Sequence, residues 1–130
     1  GIQVALADER GELAACVEGV PQLDVGPCTD VMDNLPKAEA IGMMLRAMSR
    51  QVLVSDEIGN AQDAEALLDA QRCGVKVLCS AHGASYAEVQ ARSCVRQLLR
   101  ESVFDRVLLL GREPGRIAAV YDREGRPCSD

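Results

Sequence analysis

Short branched-aliphatic runs alternate with longer stretches of helical periodicity along this chain, and that alternation is the pattern of a parallel α/β fold. The run IQVALAD (2–8) predicts a strand, VLVSD (52–56) a second and VKVLCS (75–80) a third. Residues 9–36, between the first two, carry scattered Gly and Pro and predict mostly loop, with room for a short strand or turn at ELAACV. A loop of that length in a compact domain is usually functional. Pro36 suits the first turn of a helix with Asn34 or Leu35 as its cap, and KAEAIGMMLRAM (37–48) continues it. This helix is apolar nearly all round, so it is expected to be largely buried, Met43 and Met44 included.

After the second strand, Asn60 predicts the cap of a helix through AQDAEALLDAQRC, and Gly74 supplies its stop. Ser85 with Glu88 three residues on forms a capping box for a short helix, and CVRQLLRE (94–101) predicts another. RVLLLG (106–111) and RIAAVYD (116–122), joined by REPG, read as a terminal hairpin that extends the sheet.

Composition narrows the picture. With 130 residues, 48% of them hydrophobic, the chain is a single domain (1–130) able to bury a core. No apolar run approaches the length of a membrane span, so it reads as soluble and globular. A net charge of −6, from 20 acidic against 14 basic residues, disfavours nucleic acid as a partner. Only 2% of residues are aromatic and none is Trp, which argues against base-stacking platforms. Cys16, Cys28, Cys73, Cys79, Cys94 and Cys128 form no C-x-x-C pair, and a single histidine makes a Cys/His zinc site weak. They read as reduced, mostly small buried side chains of a cytosolic protein. The opening GIQVALADER enters a strand almost at once and resembles neither a signal peptide nor a natural amino terminus, which suggests an excised piece.

Ligands of open parallel sheets bind beyond the carboxyl ends of the strands, where loops converge and helix amino termini point inward. Three predicted strands end there in polar groups: Asp8-Glu9, Asp56-Glu57, and Ser80-Ala81-His82-Gly83. One such ending is commonplace; three on one edge point to a site that binds a cofactor, with Asp8, Asp56 and Ser80 on its rim. Asp56 would hold Mg²⁺, a hard cation that prefers carboxylates, waters and phosphate oxygens. Glu57 or Glu9 would polarise an attacking water, and the sequence does not choose between them. His82 is either a hydrogen-bonding residue of the loop or a sensor of a terminal phosphate. Arg46 and Arg50 either cap the carboxyl end of their helix or, Arg46 foremost, reach a neighbouring subunit's nucleotide as an arginine finger. The loop that such acids normally serve, G-x-x-x-x-G-K followed by Ser or Thr, does not occur in the sequence.

VALADERGELAACVEG, DVMDNLPKAEAIGMMLRAMSRQVLVSDEIG, AEALLDAQRCGVKVLCSAHGAS and VFDRVLLLGREPGRIAAVYD follow one another in the order and spacing of the stage III sporulation protein AA family, which the chain resembles from Ile2 to about Asp122. That family is similar to the RecA-type ATPases of secretion and pilus machines. The resemblance implies the carboxyl-terminal part of a RecA-like P-loop ATPase core, with the phosphate loop just before the first strand. Asp56 and Glu57 then become the Walker B pair, Glu9 the catalytic glutamate, and His82 the counterpart of a histidine box. It further implies ATP and Mg²⁺ as cofactors, a hexameric ring, and other stage III sporulation channel subunits as partners. The place implied is the cytoplasmic face of the mother-cell membrane. The small side chains around the motifs and the number of cysteines depart from the family pattern; the acidic sites do not. Two rival readings stand beside this one: a non-catalytic α/β scaffold that docks to membrane partners, and a metal-dependent phosphotransfer site of toprim type that needs no phosphate loop.

Overall fold

The computed structural model describes residues 1–47 and 50–128. Its elements run β1 (Val4–Asp8), β2 (Thr29–Asp33), α1 (Lys37–Ala47), β3 (Val52–Ser55), α2 (Ala61–Arg72), β4 (Lys76–Cys79), α3 (Tyr86–Ala91), α4 (Ser93–Arg100), β5 (Val107–Leu110) and β6 (Ile117–Tyr121). The first four strands form a parallel sheet in the order β2-β1-β3-β4. Ala7, Ser55 and Cys79 lie side by side across β1, β3 and β4, so the three carboxyl ends finish level with one another. This is a mixed α/β fold with helices against a parallel sheet and a terminal antiparallel hairpin, the class expected from the alternation of runs.

Two expectations about the sheet are corrected. The predicted loop 9–36 contains β2, paired in parallel with β1 from Val4 opposite Thr29 to Asp8 opposite Asp33. TDVMD has no apolar run and no residue of β2 is fully buried, so its strand character comes from the edge β1 offers rather than from its own pattern. The hairpin β5–β6 does not extend the sheet but forms a two-stranded sheet of its own, with an irregularity at Leu109–Leu110. Between β4 and β5 lies a cleft of about 620 Å³ whose walls include Val77, Leu78, Phe104, Leu108 and Leu110. Stacking of Tyr86 on Tyr121, ring centres 4.3 Å apart, ties the hairpin to α3 instead.

Helix α1 begins where the carbonyl of Pro36 accepts from the Ala40 amide at 3.0 Å, one residue later than a cap at Leu35 would place it and two later than one at Asn34. Its burial is one-sided: Ala40, Ile41 and Met44 face the core, while Met43 is exposed, so the all-round apolar composition overstated its burial. The predicted last residue, Met48, lies outside the described residues. Helix α2 follows its signals closely. Asn60 Oδ1 accepts from the Asp63 amide at 2.9 Å, and Asp63 Oδ2 accepts from the Gly59 amide at 2.9 Å. At the other end Gly74, at φ +80°, donates to the Gln71 carbonyl and Val75 to that of Ala70, closing the helix as a Schellman turn.

The core gathers Ala5 and Ala7 of β1, Leu53 of β3, Ile41 of α1, Leu67 of α2 and Leu98 of α4, with Ile58 sealing the turn after β3. Burying each of the larger side chains stabilises the fold by roughly 1.5–3 kcal/mol, enough to fix the strand ends that carry the polar groups. All six cysteines are free, as expected; five are partly buried, Cys79 and Cys94 against the core, and Cys73 is exposed. Burial pushes the Cys79 thiol up to about 12 despite the nearby Lys37 charge, which makes it an unreactive thiol at neutral pH.

Candidate functional site

The level strand ends bring Glu9, Asp56 and Glu57 together, and the loop after β1 wraps across them. Asp8, the last residue of β1, is fully buried, and both its oxygens accept from that loop: Oδ1 from the Leu13 amide at 3.1 Å, Oδ2 from the Ala14 amide at 2.9 Å. Asp8 thus anchors the 9–14 turn and presents nothing to a ligand. The next loop amide, on Arg10, donates to Asp56 Oδ2 at 3.0 Å, stitching the end of β1 to the end of β3. The Arg10 guanidinium reaches Glu57 Oε2 at 3.2 Å from an exposed position.

At the centre lies a residue the sequence reading passed over. Lys37, first residue of α1, is 3% exposed, and its Nζ stands 3.0 Å from Glu9 Oε2, 3.1 Å from Asp56 Oδ1 and 3.9 Å from Asp63 Oδ2. Its backbone amide also donates to Glu9 Oε2, at 3.2 Å. Glu9 therefore caps α1 across 28 positions of sequence, placing a carboxylate at the positive end of the helix where a local Ser, Thr, Asp or Asn would ordinarily serve. Asp56 Oδ1 is buried and receives no hydrogen bond of regular geometry; the Lys37 ammonium is its compensation. Burial works to lower the Lys37 pKa, but contacts with Glu9 and Asp56 and the charges of Asp56 and Asp63 outweigh it and hold the ammonium above its ordinary value. The hydrogen bond from Lys37 in turn holds the Glu9 carboxyl below its ordinary value.

The other predicted residues sit at graded distances from this cluster. His82 is at its rim, side chain 90% exposed, with Nδ1 3.6 Å from Glu57 Oε2. Ser80 is exposed, and its carbonyl accepts from the Ile58 amide at 2.9 Å, fastening the end of β4 to the turn after β3. Arg92, also missed from sequence, donates to the carbonyls of His82 at 2.9 Å and Ile58 at 3.4 Å and so sets the path of the His82 loop. Arg46 is exposed in the last turn of α1, nine positions from Lys37 and hence about 14 Å along the axis. The fold of one chain does not bring it to the cluster. Arg50 pairs with Asp30 and with Gln3 Oε1 near the opposite end of the sheet.

A signal for Lys37 was present. A lysine directly after the proline that opens a helix puts a cation at the positive end of the dipole, a placement that requires nearby acids. Nothing comparable marked Arg92, whose role depends on where the His82 loop passes.

Among the described residues no group of three or more His, Cys, Asp or Glu side chains is disposed to hold an ion. Mg²⁺ commonly takes one or two carboxylates and completes its shell with waters and phosphate oxygens; Asp56 is the residue that would hold it, through water, since both of its oxygens already face donors, Oδ2 the Arg10 amide at 3.0 Å and Oδ1 the Lys37 ammonium at 3.1 Å. No helix among the described residues is long and apolar enough to cross a membrane.

Comparison with known proteins adds a lineage to this geometry. The family model for sporulation stage III, protein AA, matches residues 1–128. The stage III sporulation protein AA of Bacillus subtilis (strain 168) is 42% identical over 130 residues, which span 98% of this chain and 42% of that relative. The chain thus spans about two fifths of the length of the curated relative it matches. No solved structure matches it.

Proposed function

The chain belongs to the sporulation stage III protein AA family, and on that premise we propose that the intact protein is a Mg²⁺-dependent ATPase with a RecA-like core. Its nucleotide phosphates lie at the carboxyl ends of β1, β3 and β4. Hydrolysis energises a secretion-like channel during endospore formation, with the protein held as a hexameric ring at the cytoplasmic face of the mother-cell membrane beside other stage III sporulation subunits. The observation that carries this reading is the clustering of Glu9 and Asp56 about the buried Lys37 ammonium at aligned strand ends, with Glu57 beside them on Arg10. Acids so placed suit phosphoryl transfer, in which protein groups chiefly position the reactants and balance charge.

Asp56 would hold the Mg²⁺, which would supply neutralisation of charge on the phosphate oxygens. Glu9 or Glu57 accepts the proton of the attacking water. His82, exposed beside Glu57, donates to the terminal phosphate, and the exposed Arg46 reaches the site of the adjacent subunit in the ring. The phosphate-cradling loop comes from elsewhere in the intact polypeptide, a proposal in keeping with the 58% of the Bacillus relative that lies outside the matched region (100% − 42%). The 130-residue chain alone is accordingly expected to turn over no ATP and to bind nucleotide weakly.

In the intact protein, Glu57→Gln and Glu9→Gln each test the assignment. At least one should abolish hydrolysis while nucleotide binding persists; full turnover by both variants would refute it. A second reading, the non-catalytic scaffold, is favoured by Lys37, since its ammonium neutralises Asp56 from within the chain. An intact protein that binds its partners and never hydrolyses ATP would establish that reading.

A further inference from the structure

Lys37 occupies a position that should be hostile to it. It is a lysine at the positive end of a helix, withdrawn almost wholly from water, and each of those conditions disfavours an ammonium. The surrounding carboxylates offset the cost, yet an uncharged residue in place of Lys37 and Asp56 together would offset it with less. The retained charge is therefore best understood by what it does to its neighbours.

Both of its donors fall on one atom. Nζ at 3.0 Å and the backbone amide at 3.2 Å converge on Glu9 Oε2, and among the described residues no hydrogen bond falls on Oε1. Two donors on one oxygen fix the rotation of a carboxylate about its own axis. The other oxygen is then held in one place, on a side chain that is still 38% exposed. The same Nζ lies 3.1 Å from Asp56 Oδ1, so a single side chain sets the spacing between the two strand ends. Glu57 is held differently. Its partner Arg10 has a side chain 58% exposed, and a solvent-exposed ion pair imposes little order.

We propose that Lys37 is a positioning residue of the hydrolytic site, which holds Glu9 by Oε2 at a fixed separation from Asp56 so that Glu9 Oε1 receives the proton of the attacking water. This rests on the ATPase reading and decides a choice that reading leaves open: Glu9 is the base, and Glu57 tunes the site from its rim. A lysine is required because one group must both orient Glu9 and compensate the buried Asp56. Methionine would do neither, and arginine would keep the charge but spread it over a planar fork.

The test uses the intact protein as wild type, Lys37→Met, Lys37→Arg, Glu9→Gln and the Lys37→Met/Glu9→Gln double variant. Turnover, KM for ATP, equilibrium nucleotide affinity and thermal denaturation are measured on each. Lys37→Met should lower kcat on the order of 100-fold, the effect of misplacing a reacting group by an ångström, with nucleotide affinity changed less than about threefold. Because Lys37 acts through Glu9, the double variant should retain the residual rate of Glu9→Gln alone. A Lys37→Met kcat within about threefold of wild type, or losses that multiply in the double variant, would overturn the proposal. If Lys37→Met does not fold, Lys37→Arg decides: a kcat lowered about tenfold at unchanged nucleotide affinity supports the role, and an unchanged kcat refutes it. Wild type without Mg²⁺-dependent turnover refutes the ATPase reading itself, and the role of Lys37 with it; an active wild type indifferent to Lys37 refutes this inference alone.

Discussion

The ends of β1 and β3 and the outer edges of β4 and β5 are two boundaries of the same molecule built in opposite ways. At the first, charged groups are buried and answer one another: Asp8 is closed off by loop amides, and Asp56 by Arg10 and Lys37. At the second, apolar side chains face water, with Leu78 61% exposed and Leu110 72% exposed on either side of a cleft that no strand fills. Parallel sheets are ordinarily covered on both faces and hidden at their edges. The comparison separates a half whose buried charges are paired from one whose hydrophobic burial is incomplete, and the chemistry proposed above belongs to the first.

The largest effect expected from that contrast is at Lys37. Removing one member of a buried ion pair leaves the other uncompensated, so Lys37→Met should lower unfolding free energy by about 3–5 kcal/mol. Denaturant titration of the variant checks this, and a loss under about 1 kcal/mol would mean that Asp56 does not depend on the ammonium. Next comes Leu67→Ala in the covered half, where a fully buried leucine leaves a cavity worth about 2–5 kcal/mol. Equal losses from Leu67→Ala and Leu110→Ala would erase the distinction between the halves.

Acid gives a smaller effect. Glu9 sits below its ordinary value of 4.5, so the stability it contributes is complete above about pH 4.5 and is lost as pH falls through its lower folded value. Lys37 sits above its ordinary value of 10.5, so its contribution is complete below about pH 10.5 and is lost as pH rises past its folded value. The Tm difference between wild type and Lys37→Met should therefore be flat through neutral pH and narrow at both extremes; narrowing near neutrality would contradict the pairing. The smallest effect belongs to the open edge, where Leu110→Ser should change stability by no more than about 0.5 kcal/mol. A large loss there would mean that something covers β5.

Much of this architecture was legible because its signals are local. Asn60 and Gly74 bound α2 as read, Ser85 caps α3, and the runs at 52 and 75 are strands. Strand β2 was not legible, because TDVMD becomes a strand only when β1 offers its edge. The separation of β5–β6 from the main sheet was equally hidden, since a hairpin pattern states its own pairing and not its neighbour's. At the site, the sequence identified Glu9, Asp56 and Glu57 by their place after strands, and the level register brings them together. It could not show that Asp8 is spent on the loop behind it, although it did place Arg46 at the carboxyl end of α1. Lys37 escaped notice because its partners are 28, 19 and 26 positions away, distances over which only the folded chain has knowledge.

The most direct test of the central claim is steady-state ATP turnover by the intact, unmutated protein, with Mg²⁺ and with the ion removed by chelation. Turnover that requires Mg²⁺ and disappears in Glu9→Gln is the predicted result. Nucleotide binding without turnover at any Mg²⁺ concentration would contradict it and leave the strand-end carboxylates as the frame of a scaffold.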